Sequence, residues 1–157
     1  MLIHKHGEFV LIDSEMYFTT IEVKPPIIAL IEKEGAEIKP HQSTYEPGFV
    51  DVAINAAALK LLPLFYGIER NGCWELLSGN NYFSALSDFI NDKVAYSENG
   101  SMPKFRGLKF SELPRLYKNK IRTAEFKIVL LSSFSGNRGK ESSFTENVKS
   151  IVNMPLD

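Results

Sequence analysis

Cysteine is nearly absent. The chain of 157 residues holds one, Cys73. A lone thiol cannot close an internal disulfide, so a disulfide scaffold is excluded and nothing argues for an oxidising compartment. Cys73 follows Asn71-Gly72 and precedes Trp74, with no histidine near it in sequence. A small, half-buried apolar role therefore explains it better than a nucleophilic one. Long apolar runs are also missing. No stretch of about twenty apolar residues exists, so no membrane span is expected. Met1 to Glu8 alternates apolar and polar residues and lacks the apolar centre of a signal peptide. The expected compartment is the cytoplasm. Histidine is scarce too. His4 and His6 would share one face of a strand and could approach a metal together with His41. No carboxylate or cysteine stands at ligand spacing with them, so exposed terminal histidines are the simpler account and no metal site is expected.

What the chain does have is an ordinary globular composition, with 44% hydrophobic and 11% aromatic residues. Its length suits one domain with one core. The net charge of -1 conceals an asymmetry. Residues 1–92 carry thirteen acidic and six basic side chains, whereas Lys104 to Lys127 holds eight basic ones against Glu112 and Glu125. The eight are Lys104, Arg106, Lys109, Arg115, Lys118, Lys120, Arg122 and Lys127. Such a block is either a phosphate-facing patch or a solvated helix face. Lys118, Lys120 and Arg122 are the candidate nucleic-acid contacts, with DNA as the partner.

Local patterning supplies the elements. Glu8 to Ile12 and Tyr17 to Val23 read as strands, the second being β-branched and aromatic. Pro25-Pro26 stops it, and Pro26 suits the first turn of a helix through Ile27, Leu30 and Ile31 that Gly35 ends. Ile38 to Tyr45 reads as extended. Val50 to Leu62 is rich in Ala and Leu at helical spacing, and Pro63 ends it. Leu64 to Ile68 and Trp74 to Leu77 read as a hairpin turning at Asn71-Gly72. Tyr82 to Ile90 reads as a helix and Asp92 to Lys104 as a polar loop. Ser111 would cap a short helix to Asn119 with Pro114 in its first turn. Glu125 to Ser132 reads as the last strand. A domain over residues 1–131 is expected, followed over 132–157 by a mobile basic loop and a C-terminal segment, with Phe144 to Met154 as a final helix. The fold class is α/β, a small mixed sheet flanked by helices. Gly136-Asn137-Arg138-Gly139-Lys140 lacks phosphate-loop spacing and reads as a mobile basic loop. Asp88 and Asp92, four apart, read as a solvated helix face rather than a paired acid site.

The chemistry would sit where the hairpin runs through Ser78-Gly79-Asn80-Asn81-Tyr82 into a helix, because such a turn offers backbone N–H groups to an anion. This stretch, with Leu86-Ser87-Asp88-Phe89-Ile90-Asn91-Asp92 after it, resembles the core of ParB/sulfiredoxin-like domains. It is most similar to the N-terminal domain of GmrSD-type modification-dependent restriction proteins. Pro40-His41-Gln42-Ser43-Thr44-Tyr45 resembles a second motif of that family, Pro-x-Gln-Arg-x-Tyr. Leu61-Leu62-Pro63-Leu64-Phe65 and Gly107-Leu108-Lys109-Phe110-Ser111-Glu112-Leu113-Pro114 match two further landmarks. The resemblance covers residues 26–131.

The resemblance implies a nucleotide with magnesium at an Asp-Gly-Gln-Gln-Arg motif. Here that Asp is Ser78, the Gln pair is Asn80 and Asn81, and the Arg is Tyr82. The Arg of the second motif is Ser43. Gln42, Tyr45 and Gly79 keep the family's identity. Each change removes a charge that could clamp phosphate or hold a metal, so hydrolysis is not expected. The candidate ligand-binding residues are Gln42, Tyr45, Ser78, Gly79, Asn80, Asn81 and Tyr82, with no catalytic residue. Equally, Ser78 to Asn81 would merely cap the helix beginning near Tyr82. Three functions follow as expectations. The first is a degenerate binding or regulatory module associated with DNA or nucleotide, linked to restriction, defence or mobile elements. The second is a diverged NTPase or nuclease. The third is a small protein-interaction domain.

Overall fold

A computed structural model describes residues 2–5, 8–11, 17–32, 38–39, 45–70 and 73–133. Among them seven strands form one mixed sheet. The strands are β1 (Leu2–Lys5), β2 (Glu8–Leu11), β3 (Tyr17–Val23), β4 (Ile38–Lys39), β5 (Phe65–Arg70), β6 (Cys73–Leu76) and β7 (Ile128–Ser133), in the spatial order β1-β2-β3-β7-β5-β6-β4. β5 runs parallel to β7 and β4 parallel to β6, and the other neighbours are antiparallel. Helices α1 (Ile27–Glu32), α2 (Phe49–Ala58), α3 (Asn80–Ile90) and α4 (Arg115–Arg122) complete an α/β fold. The sequence reading assigns no strand to Leu2–Lys5, which pairs with β2, Leu2 opposite Leu11. β7 extends to Ser133, past the domain boundary expected at 131.

The parallel β5–β7 pair is the centre. Chain that leaves β5 passes through β6, α3 and α4 before entering β7, the long connection a parallel pair requires. α2 buries Val50, Ala53, Ile54, Ala57 and Ala58, the i, i+3, i+4, i+7 stripe that its sequence encodes. α3 buries Phe83, Leu86 and Phe89. Between these helices and the sheet the rings of Phe65 and Phe126 stack at 4.2 Å, with Phe83 edge-on to Phe126 at 6.1 Å. Each such ring contributes roughly 1.5–3 kcal/mol by burial. The expected Asn71-Gly72 turn lies outside the described residues, and Arg70 stands opposite Cys73 at that end of the hairpin.

The loop expected over Asp92 to Lys104 has neither helix nor strand before a 3-10 turn at Pro103–Phe105, yet it is tied down. Tyr96 is 1% exposed; its hydroxyl donates to Asn55 Oδ1 at 2.8 Å and accepts from the Met102 N–H at 3.0 Å. The Ser97 N–H reaches Asp51 Oδ1 at 2.9 Å, and Arg106 Nε donates to the Gly100 carbonyl at 2.8 Å. Two residues of α2 and one arginine thus satisfy polar groups that a buried loop would otherwise leave unpaired.

Two local expectations need correction. Ser111 does not cap a helix. It lies in a second 3-10 turn, Phe110–Glu112, and α4 starts only at Arg115, after Pro114. The proline forces Leu113 into an extended conformation (φ -71°, ψ 150°), which no continuous helix through 113 could accept. Nor do Asp88 and Asp92 share one helix face. α3 ends at Ile90, and Asp92 sits beyond it at φ 60°. Its Oδ1 accepts the Ser111 N–H at 2.9 Å. That bond, with Lys109 and Lys118 nearby, holds the carboxyl below the usual carboxylate range. Asp88 accepts the Tyr45 hydroxyl.

α2 is shorter than its pattern suggests. It ends at Ala58, with Lys60 at φ 59°. The Lys60 N–H returns to the Ala57 carbonyl at 3.3 Å and the Leu61 N–H to that of Ala56 at 2.8 Å. This paired return is a Schellman ending, whose left-handed residue is usually glycine. Here it is lysine, and the turn ejects Leu59 and Leu61 toward solvent.

Candidate functional site

The β6–α3 junction is where the sequence places its ligand-binding residues. Ser78 is 2% exposed, and its hydroxyl accepts the Tyr66 N–H at 2.9 Å. The backbone N–H groups of Leu77 and Ser78 both return to the Tyr66 carbonyl, at 2.8 and 3.3 Å. Ser78 therefore closes the end of the β5–β6 ladder as the chain leaves the sheet. Gly79 precedes α3 at φ 81°, a left-handed conformation that glycine adopts without strain. A Cβ there would lie 2.1 Å from Cδ1 of Phe65. The close approach that this glycine allows is to a core ring. Asn80 opens α3 and donates from Nδ2 to the Leu76 carbonyl at 3.2 Å, and Asn81 is exposed in the first turn. The Tyr82 ring packs between Phe49 (4.8 Å) and Phe65 (5.4 Å).

Tyr45 lies just ahead of α2 and donates its hydroxyl to Asp88 on α3. Burial, the Asp88 hydrogen bond and the Asp88 charge push its phenol up from 10.0 to about 12. Tyr45, Tyr82 and Asp88 join α2 to α3, so this part of the expected pocket also serves as a strut. Gln42 lies outside the described residues. So do Ser43, His6, His41, the Gly136–Lys140 loop and the helix expected over Phe144 to Met154, and nothing places the imidazole of His4.

The basic block divides into separate settings. Lys118 and Lys120 are two residues apart on α4, which sets them about 200° apart around the helix. Lys118 is half-buried on the side of Asp92. Arg115, Lys118 and Arg122, at i, i+3 and i+7, form one flank. Lys120 belongs to the other flank. Lys104 donates to the Tyr117 hydroxyl at 3.2 Å, and its ammonium and that of Lys120 lie 5.7 and 5.8 Å from the Tyr117 ring centroid. Such contacts hold lysine heads near aromatic faces and contribute about 0.5–1 kcal/mol when exposed.

On the Lys120 flank a groove of about 440 Å³ opens between α4, the α2–β5 connection and the segment leading into β7. Leu62 and Leu116 line it together with Lys60, Lys120 and Lys127, against one acidic residue, Glu125. Asn119 and Thr123 complete the α4 wall. Lys60 is the member that reading the sequence as blocks of charge misses, being 60 residues from Lys120. A signal was there. Leu59, Leu61, Leu62 and Leu64 cannot all face inward from one helix end, and three of them, Leu59, Leu61 and Leu64, are exposed.

Among the described residues, no group of three or more histidine, cysteine, aspartate or glutamate side chains could hold a metal ion, and no helix is long and apolar enough to cross a membrane. Compared with protein-family models, with curated proteins and with solved structures, the chain matches none.

Proposed function

We propose that this chain is a diverged ParB-like domain, similar to the N-terminal part of GmrSD-type restriction proteins, which binds without hydrolysing nucleotide. In this reading it works in the cytoplasm as a DNA-associated regulatory module of a restriction, defence or mobile-element system. The observation that carries it is Ser78. At the position of the family's acid stands a buried hydroxyl already engaged with the Tyr66 N–H. A site for phosphoryl transfer needs fixed charge around the phosphates. The cations of this chain gather instead along α4, where Arg115, Lys118 and Arg122 make a stripe able to follow a phosphate backbone.

Binding to a short DNA duplex, followed by fluorescence anisotropy across a salt series, tests the proposal. Three phosphate contacts give a slope of log affinity against log salt of about -3. The double reversal Arg115→Glu, Arg122→Glu should remove about two units of that slope. The same preparation should release no phosphate from GTP, ATP or CTP with magnesium. Metal-dependent turnover would support a diverged NTPase or nuclease instead, and salt-insensitive DNA affinity would remove the α4 stripe from the account. A protein-interaction role is favoured by one separate observation, the exposed leucines beside the groove.

A further inference from the structure

The groove on the Lys120 flank of α4 combines features that phosphate binding does not need. Leu116, in its wall, is 60% exposed, and Leu61, between lining residues Lys60 and Leu62, is 69% exposed. Leu59 and Leu64, on the same α2–β5 connection, are 53% and 39% exposed. A domain of this size seldom leaves several leucines together in water unless a partner covers them. Three lysines, Lys60, Lys120 and Lys127, line the groove against one acidic residue, Glu125. The occupant must therefore be apolar on one side and acidic at its margins.

We propose that the groove docks an acidic amphipathic helix of a partner protein. Leucine-like side chains at i, i+3 or i+4, and i+7 of that helix would sit against Leu62, Leu116 and Leu61. Its aspartates and glutamates would meet Lys60, Lys120 and Lys127, which sets register and rejects basic helices. A small molecule enclosed in about 440 Å³ leaves the outlying leucines unexplained. A bilayer presses on convex, protruding residues, whereas these lysines line a concavity. DNA gains nothing from exposed leucines. Lys60 adds an independent sign, because a lysine at φ 59° stands where glycine is preferred, at a cost to stability.

A random-peptide display selection on the full chain tests this, followed by anisotropy titration of the winning peptides. The expected winners carry acidic residues flanking leucine, phenylalanine or methionine at helical spacing. Their affinity should fall roughly tenfold or more with Lys60→Gly, with Lys127→Glu and with Leu116→Ser, since each removes an anchor or a facing charge. Lys60→Gly should melt no lower than the parent chain, which separates lost binding from lost folding. Enrichment without an acidic, apolar helical pattern overturns the proposal, as do winners indifferent to the three substitutions. It is overturned equally if anionic phospholipid vesicles or duplex DNA displace the winners and depend on the same three residues. The outcome is independent of the DNA reading, whose substitutions, Arg115→Glu and Arg122→Glu, lie on the opposite flank of α4.

Discussion

Two helix ends in this molecule take a positive φ for opposite reasons. Gly79, at the start of α3, stands at φ 81° against the Phe65 ring, where the Ser78 hydroxyl and the Asn80 amide are both engaged within the fold. Lys60, at the end of α2, stands at φ 59° on the wall of an open groove. At the first position the backbone demands glycine and has it. At the second the backbone would prefer glycine and has a long cation instead. A third case calibrates the pair. Asp92 ends α3 at φ 60°, but its short carboxylate suits that conformation and is repaid by the Ser111 N–H. Strain relieved locally is architecture, and strain carried by a solvent-facing lysine points to a requirement outside the fold.

The junction should therefore break hardest. Gly79→Ala puts a non-glycine residue at φ 81° and a methyl 2.1 Å from Phe65 Cδ1. The backbone costs about 1 kcal/mol and the overpacking about 1–3 more. A loss of about 2–4 kcal/mol is expected in urea or thermal unfolding. A loss well under 1 kcal/mol would mean that Phe65 moves aside easily, and the junction would then be pliable enough to admit a ligand.

Ser78→Ala comes next. It strips the acceptor from the Tyr66 N–H in a part-buried position, with a cost of about 1–3 kcal/mol. Stability unchanged in Ser78→Ala, together with weakened nucleotide binding by calorimetry, would reverse the comparison and return Ser78 to a ligand-facing role.

Most of the architecture was legible because it rests on period and punctuation. The apolar stripe of α2, the Ala- and Phe-bearing face of α3 and the β-branched run of β3 each declare their state locally, and Pro25 and Gly79 mark breaks that the chain obeys. What escaped was set by contacts far apart in sequence. Nothing near Tyr96 announces that its hydroxyl will bridge Asn55 and Met102, so the loop around it read as merely polar. Pro114 displaced the start of α4 through its effect on Leu113, a one-residue influence outweighed in the reading by a plausible serine cap. The site was legible in its residues but not in their use. Spacing brings Ser78, Gly79 and Tyr82 to a helix start, and only packing shows that the Ser78 hydroxyl is engaged by the Tyr66 N–H and that Gly79 and Tyr82 lie against the Phe65 ring. The groove is the reverse case. Lys120 and Lys127 belong to a visible basic block, whereas Lys60 joins them only once α4 lies against the end of α2.

The smallest effect has the opposite sign. Lys60→Gly relaxes the left-handed residue of the Schellman ending while leaving the returning bonds from residues 60 and 61 to Ala57 and Ala56 intact. Glycine at such a position is favoured over a residue with a Cβ by roughly 0.5–1 kcal/mol, partly offset by the extra freedom it gives the unfolded chain. Lys60 is exposed, so little packing is lost in exchange. A rise of about 0.5 kcal/mol in unfolding free energy is expected, read as a higher urea midpoint at unchanged slope. The control is Asp92→Gly, which should not stabilise, because it forfeits the Ser111 hydrogen bond. If Lys60→Gly instead destabilises, the Lys60 side chain contributes to the fold, and the contrast between a glycine the backbone needs and a lysine it merely tolerates fails at the groove.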